Sequence, residues 1–442
     1  MNMDKKLLYY MWLNSKIYAG STAPKILLEH YGEIEKVYEA AYDDYTSLGI
    51  SNKEAASLCN KSLEDAERYY DYCAKEHIGV LCYDNPYYPG RLKCISDPPA
   101  MFYYKGRIEM LDDHACFAMV GTRSCSEKGL RYSYRLGYKA AARGAVVVNG
   151  IAKGCDGAAL YGALDADGYA VAILGSGIDR IYPPEHRQLF KRVEASGLIL
   201  SEFPPFSEPD GKNFPVRNRV MSGLTLGTVI LEADAKSGAL ITASKALSQG
   251  KKIYALPGDI TNRLYQGPLQ FIKTGAKPIT DADDFVLEYA LMFPHRINAK
   301  DKINVPEEME KAFITEAFAL YGIPESSYKD DEKTLSKPKK TTKQEKTSKA
   351  NKNIIPKAQR KSEQLPSKAE IASGISQNNR DYSALSAPEQ VIMELFENNE
   401  TLSADEIASK GFKVDDVLSS LTMLEIYGYI SALPGGRYKI ID

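Results

Sequence analysis

Phe117-Ala-Met-Val-Gly-Thr-Arg123 is a short apolar run that stops at glycine, and the same phrase returns along the chain. Ala145-Val-Val-Val-Asn-Gly150 leads into Ile-Ala-Lys-Gly-Cys-Asp-Gly157, and Ala170-Val-Ala-Ile-Leu-Gly-Ser-Gly177 is the third instance. Leu198-Ile-Leu-Ser-Glu-Phe203, Thr228-Val-Ile-Leu-Glu232 and Lys252-Ile-Tyr-Ala-Leu-Pro-Gly258 follow. Runs that are apolar at every position suit strands covered on both faces, as in a parallel sheet. The patterns between them, such as 129–142 and 239–248, are long enough to be crossover helices. Together they predict a doubly wound α/β domain with a mostly parallel sheet. Ligands of such sheets sit beyond the carboxyl ends of the strands, which is where this sequence concentrates Gly, Ser, Thr and Arg.

Outward from that stretch, 442 residues leave room for two or three domains. Residues 1–77 read as a helical module, with pieces at 23–30, 34–40, 52–60 and 63–76. Its Lys25, Lys36, Lys53 and Lys61 read as solvated helix faces ahead of phosphate contacts. From 78 to 106 the chain turns aromatic and Pro-rich, which suits an extra edge on the sheet or a base-stacking surface. The α/β core spans 78–292 and closes on a helix over 281–291. Residues 293–386 hold one amphipathic helix within 300–323, then a basic, polar stretch from Lys333 to Lys361 that suits a disordered tether. Residues 387–442 read as three helices and a hairpin, a winged helix. Ser403-Ala-Asp-Glu406 matches a capping box, and the hairpin turns at Gly435-Gly436. The third helix, 414–427, offers Asp415, Asp416 and Glu425 outward, acidic for a groove reader, so a protein contact or weak DNA contact is expected of it.

A net charge of −2 decides nothing about nucleic acid, because patches outweigh totals. Seven Cys without a Cys-x-x-Cys or Cys/His cluster read as reduced thiols, not a disulfide frame or zinc site. The start Lys5-Lys6-Leu-Leu-Tyr-Tyr-Met-Trp-Leu13 mimics a signal peptide but breaks at Asn14-Ser15-Lys16. No run approaches the roughly 20 apolar residues of a membrane span. A cytoplasmic protein with no membrane partner is expected.

The chemistry sits in the strand-end turns. Gly121, Thr122, Arg123, Ser124 and Ser126 form the first: glycine permits close approach, hydroxyls and a helix start offer donors, and Arg123 brings a planar fork that fits phosphate. Gly150, Lys153 and Gly154 form the second, and Gly175, Ser176 and Gly177 the third. Phe214-Pro-Val-Arg-Asn-Arg219 packs two arginines, Asn218 and an aromatic around a helix start. Arg217 and Arg219 suit phosphates, and Phe214 suits a base face. Ser237 and Gly238 open the helix that carries Lys245. Neither a Walker loop nor a Gly-x-Gly-x-x-Gly fingerprint is present, and no His lies in triad or metal spacing. Glu202 and Glu232 end strands and could act as acid and base, but backbone contacts or pairing with Arg217 or Arg219 is the stronger expectation. No cofactor is expected.

These motifs together resemble the DNA-processing protein A family (DprA, also called Smf). The matching pieces are Val120-Gly-Thr-Arg-Ser-Cys-Ser126, Gly150-Ile-Ala-Lys-Gly-Cys-Asp156, Leu174-Gly-Ser-Gly-Ile-Asp179 with Tyr182-Pro183, Ser201-Glu-Phe-Pro-Pro205 and Phe214-Pro-Val-Arg-Asn-Arg219. Glu232-Ala233, Ser237-Gly-Ala-Leu-Ile-Thr242 and Ala255-Leu-Pro-Gly258 complete them. The resemblance implies a Rossmann-like fold that binds single-stranded DNA in a pocket containing Arg123. It also implies a homodimer that hands DNA to the RecA recombinase in natural transformation and recombination, without enzymatic activity. Four positions depart from the family pattern: Asn149 stands for Ser, Cys155 for Ile, Leu269 for Asn, and Tyr18-Ala-Gly-Ser21 for a Pro-Gly-Ile-Gly hairpin. That last departure bears on the N-terminal module, which resembles a SAM or helix-hairpin-helix domain, and weakens the DNA contact that such a hairpin would imply. Two other readings compete. One is a nucleotide-hydrolysing enzyme of the lysine-decarboxylase-like type, whose Pro-Gly-Gly-x-Gly-Thr signature is missing from 232–238. The other is a transcription regulator reading duplex DNA through the winged helix.

Overall fold

The computed structural model describes residues 4–321, 387–397, 399–410, 417, 420, 421, 424, 429–433 and 436–441. They fall into two compact units. The larger is organised by a nine-stranded sheet in the order β1-β2-β6-β5-β4-β3-β7-β8-β9. Its strands are β1 (Gly79–Cys82), β2 (Met101–Gly106), β3 (Cys116–Val120), β4 (Val146–Asn149), β5 (Ala170–Ile173), β6 (Leu198–Ser201), β7 (Gly227–Ile230), β8 (Lys252–Ala255) and β9 (Lys277–Pro278). From β6 through β9 every neighbour is parallel. All residues of β3 to β7 are buried, as their unbroken apolar character requires of strands covered on both faces. The Pro-rich segment adds β2 antiparallel to β6 and β1 antiparallel to β2, so it extends the sheet as an edge.

The chain winds from β3 outward through β4, β5 and β6, then returns to the other side of β3 to lay down β7, β8 and β9. The connections after β3 and β7 therefore leave in opposite directions. Doubly wound sheets bind their ligands at the carboxyl ends of the strands beside such a reversal.

The crossover helix Glu127–Ala142 starts at Ser126, whose hydroxyl accepts from the Gly129 amide at 3.0 Å. It packs against Cys155–Asp165, a helix buried over all but its last residue. The approach is close: a Cβ on Gly162 would sit 2.0 Å from the Tyr134 carbonyl oxygen, and one on Gly137 2.1 Å from that of Ala159. Six helices between Lys5 and Lys75 share one continuous apolar core with the sheet. One of them, Tyr42–Ser47, has too little apolar periodicity to be read from sequence. Two lysines placed on solvated faces are in fact structural. Lys61 sits against the rings of Trp12, Tyr38 and Tyr45 and donates to the Ala40 carbonyl at 2.9 Å, with burial lowering its pKa. Lys25 donates to the carbonyls of Lys93 and Ile95.

The helix expected over 281–291 is shorter and broken. One turn, Asp283–Val286, tightens into a 3₁₀ turn at Leu287–Tyr289, where Phe285 and Tyr289 both pack edge-on to Phe117. Helix Glu307–Tyr321 lies on the same core through Phe313, Ile314, Ala317 and Phe318. Its buried Glu310 pairs with Arg131 at 3.3 Å and Arg135 at 2.7 Å.

In the smaller unit, helix Ala387–Glu397 and helix Ala404–Ala408 accompany strands β10 (Leu402–Ser403), β11 (Ile430–Leu433) and β12 (Arg437–Ile440), paired in the order β10-β12-β11. The capping box is present: the Ser403 hydroxyl accepts from Glu406 N at 3.2 Å and Glu406 accepts from Ser403 N at 2.8 Å. Val417, Leu421 and Leu424, read as the apolar face of a third helix, are helical and buried. Ser420 is helical there as well; the other residues expected in that helix, and the basic stretch 333–361, lie outside the described residues.

The contact between the two helices that follow β3 and β4 is where overpacking costs most. Gly162→Leu should destabilise the larger unit by about 2–3 kcal/mol, read as a lower urea midpoint with an unchanged slope.

Candidate nucleic-acid interface

Phe214 stands at the first turn of helix Asn213–Leu224, above the ends of β3 and β5. Its ring rests on Gly175, where a Cβ would come within 2.7 Å of a ring carbon. Three side chains surround it. The Arg123 guanidinium lies 5.4 Å from the ring centroid, the Arg217 guanidinium 5.8 Å, and the Tyr182 ring 5.6 Å. Arg123 is exposed, Phe214 half-buried and Tyr182 exposed. The crevice therefore presents a cation and two aromatic faces outward, with no buried apolar slot.

The expected phosphate clamp divides along the helix. Arg217 is buried; its guanidinium packs under Gly150, where a Cβ would lie 2.3 Å away, and donates to the carbonyls of Gly150 and Ile173. Burial lowers its pKa to about 10, with nearby Asp156 opposing and Arg123 assisting. Arg219 is only 3% exposed and makes a bidentate pair with Glu202 at 2.7 and 2.9 Å, while its Nε lies 3.1 Å from Asp97. Neither reaches the surface, so the direct phosphate grip expected of Arg217 and Arg219 is corrected to a supporting role. Asn218, also buried, accepts from Arg217 Nε.

Three of the four glycine amides expected to line the pocket, those of Gly121, Gly150 and Gly177, are turned to partners within the protein. Gly121 N donates to Asp156 at 3.2 Å, Gly150 N is also held by Asp156, and Gly177 N donates to the Ser207 carbonyl at 2.8 Å. Buried amides must find partners, and these find them within the protein. Asp156 is the hub of the first two turns, a residue that the sequence analysis quoted but did not place in the site. Asn149 supports it by donating to the Asp156 carbonyl at 2.8 Å and accepting from Ile151 N at 2.9 Å. Burial pushes the Asp156 carboxyl up to about 6, against the pull of Arg217 and the two amides. His186 braces the same loop: Nδ1 donates to the Ile151 carbonyl at 2.9 Å and Nε2 accepts from the Tyr321 hydroxyl at 2.8 Å. Burial lowers its pKa, which keeps the ring neutral.

Thr122 is half-buried and accepts from Ser124 N, and Ser124 is exposed beside Arg123. Ser126 is committed to Glu232, donating from N at 2.8 Å and from Oγ at 2.6 Å. Lys153 pairs with Glu185 at 2.5 Å, and the Gly154 backbone, at φ +78°, nestles against Thr122 and Arg123. Ser176 is buried and donates to the Arg180 carbonyl. Ser237 and Gly238 open the helix Ala239–Ser248 after β7, and Lys245 is exposed on its second turn. Both acid/base candidates are engaged, Glu202 by Arg219 and Glu232 by Ser126. Among the described residues no group of His, Cys, Asp or Glu is placed to hold a metal ion, and no helix is long and apolar enough to cross a membrane. Tyr182 was quoted in a motif but not assigned; its aromatic type five residues past Gly177 was the only signal.

A family model described as DNA recombination-mediator protein A matches residues 79–290. The chain is 35% identical over 214 residues to DNA processing protein DprA of Bacillus subtilis, spanning 48% of this chain and 72% of that one. It is 36% identical over 263 residues to DNA processing protein DprA of Streptococcus pneumoniae, spanning 58% and 93%. The X-ray structure of DNA processing protein A from Streptococcus pneumoniae superposes with a TM-score of 0.52 at 28% identity, covering 65% of this chain and 99% of that one.

Two predictions separate surface from support. Arg219→Ala strands Glu202 in the interior and should cost about 3–5 kcal/mol in urea unfolding, whereas Arg123→Ala should leave the midpoint unchanged. Asp156 binds its proton more tightly folded than unfolded, so its contribution is most favourable at low pH and declines as pH rises. The stability of wild type relative to Asp156→Asn should therefore fall between about pH 4 and 6, by at most about 3 kcal/mol, and stay flat above about pH 7.

Proposed function

Because the chain belongs to the DNA recombination-mediator protein A family, we propose that it binds single-stranded DNA at the carboxyl ends of β3, β4 and β5 and passes that DNA to the RecA recombinase. The observation that carries this reading is the exposed Arg123 guanidinium over the Phe214 ring, with Tyr182 alongside. A cation meets a phosphate, and an aromatic face meets an unpaired base, whatever its identity. A duplex keeps its base faces stacked on one another and offers the aromatics nothing. Ser124 and Thr122 supply hydroxyls next to the cation, and Lys245 extends the positive surface toward β7.

The protein works as a non-enzymatic mediator. The two carboxylates at the strand ends hold the scaffold, and the cations and rings hold the strand. It acts as a homodimer in the cytoplasm, in natural transformation and recombination, and uses no cofactor. Residues 387–442 form a winged helix that contacts a protein partner or adds weak DNA affinity.

The test is fluorescence anisotropy of labelled poly-dT and of a matched duplex across a salt series. Wild type should prefer poly-dT, and Arg123→Ala should weaken binding at least about tenfold, about 1.4 kcal/mol, and flatten the salt dependence. No preference for the single strand, or an Arg123→Ala variant that binds like wild type, would overturn the reading and direct attention to nucleotide hydrolysis.

A further inference from the structure

The turn Gly175-Ser176-Gly177 has a second side. Phe214 rests on Gly175; the loop 204–207 rests on Gly177, whose amide donates to the Ser207 carbonyl at 2.8 Å. A Cβ on Gly177 would meet the Pro204 carbonyl oxygen at 2.8 Å, so loop and turn are in direct contact. Phe206 sits at the tip of that loop. Its backbone is held at φ +71°, in the left-handed region that is unfavourable for a bulky side chain. Two bonds hold it there: Phe206 N donates to Asp179 at 2.9 Å, and Ser207 N donates to the Pro204 carbonyl at 3.2 Å. Despite the strain, the ring is not used to fill the core. It is 41% exposed and packs against Tyr72 of helix Glu64–Lys75, with ring centroids 4.5 Å apart and planes at 56°. A small residue would satisfy the backbone with less strain, so a loop that holds a large open ring in this conformation invites a functional reading.

We propose that Phe206, backed by Tyr72, is a second base-stacking platform for the same single strand, on the far side of the Gly175–Gly177 turn from Phe214. This inference rests on the single-strand reading of the crevice. Two residues of backbone span at most about 7 Å, so the glycine under the Phe214 ring and the glycine under the loop that carries Phe206 are near neighbours. The platform works by stacking and not by charge. Arg180, which pairs with the same Asp179 that holds Phe206 N, is already shared between Asp179 at 3.5 Å and Glu208 at 3.2 Å. Charge pairing with the backbone therefore stays with Arg123, while Phe206 lengthens the bound segment.

The experiment uses the full chain, a ladder of oligo-dT lengths, and three proteins: wild type, Arg123→Ala and Phe206→Gly. Glycine accepts φ +71° without strain, so the substitution removes the ring without forcing the loop to refold. The expected result is that Phe206→Gly matches wild type on the shortest oligonucleotides that wild type binds. Beyond a threshold length it should fall behind by on the order of tenfold, with the same slope of log Kd against log salt; Arg123→Ala should weaken binding at every length and lower that slope. In wild type, an oligonucleotide carrying 5-iododeoxyuridine should photo-crosslink at Phe206. Equal binding of Phe206→Gly and wild type at all lengths, or crosslinks that never reach 204–207, would overturn the proposal while leaving the Arg123 site standing. Wild type that binds no single strand would overturn the underlying reading instead.

Discussion

Glu232 closes the end of β7 against the turn that follows β3, and the crevice depends on that closure. Its backbone carbonyl accepts from Thr122 N at 2.6 Å, and its carboxylate accepts from both the amide and the hydroxyl of Ser126. Ser126 in turn caps the helix Glu127–Ala142. Gly129 leaves the space the carboxylate fills, since a Cβ there would lie 2.1 Å from it. One buried acid thus ties the end of β7 to the turn after β3 and to the start of the first crossover helix, on either side of Arg123 in the chain. A buried carboxylate that accepts charge-assisted hydrogen bonds from a backbone amide and a hydroxyl is a stiff anchor. A neutral or shorter side chain would leave those donors unsatisfied.

The arginines show how the same side chain serves two ends. Arg217 and Arg219 lie beneath the surface because the helix 213–224 is covered on all sides from residue 217 onward, and each finds its own partners on its own side. A buried guanidinium needs partners for its charge and donors: Glu202 takes both terminal nitrogens of Arg219, whose Nε has Asp97 at 3.1 Å as an ion-pair partner, and the carbonyls of Gly150 and Ile173 accept from Arg217. Arg123 leaves a turn instead of a helix, touches a ring and remains exposed. Its guanidinium is weakly hydrated and stacks readily, so it can leave water for a phosphate at lower cost than the buried pair could be broken. Asp156 and His186 complete the support: one gathers the amides of two turns, and the other ties the loop after β4 to the helix that ends at Tyr321.

The strands of the sheet from β3 to β8 and the crossovers at 129–142 and 239–248 were legible because burial on both faces leaves an unbroken apolar run, and because glycine marks each strand end. The Pro-rich edge was legible as an edge but not as two antiparallel strands, since its pairing is made with β6, nearly a hundred residues away. The short helix Tyr42–Ser47 and the break at 287–289 were not legible; both follow from packing and local hydrogen bonds, not from periodicity. Lys25 and Lys61 read as solvated because charge in a helix pattern usually is, and only the fold shows the carbonyls and rings that receive them.

For the candidate site, residue type and order were enough to mark the strand ends and to set the chain beside its family. Composition and spacing are properties of the chain itself, and a parallel sheet fixes where its strand ends must lie. Which arginine faces out, which amide is already satisfied, and which aromatic rings flank Gly175 and Gly177 were decided by tertiary structure alone. Exposure and hydrogen-bond partners are relations between segments far apart in sequence. Arg123, Arg217 and Arg219 are chemically identical, and only the neighbours that folding brings to each one leave the first exposed and bury the other two.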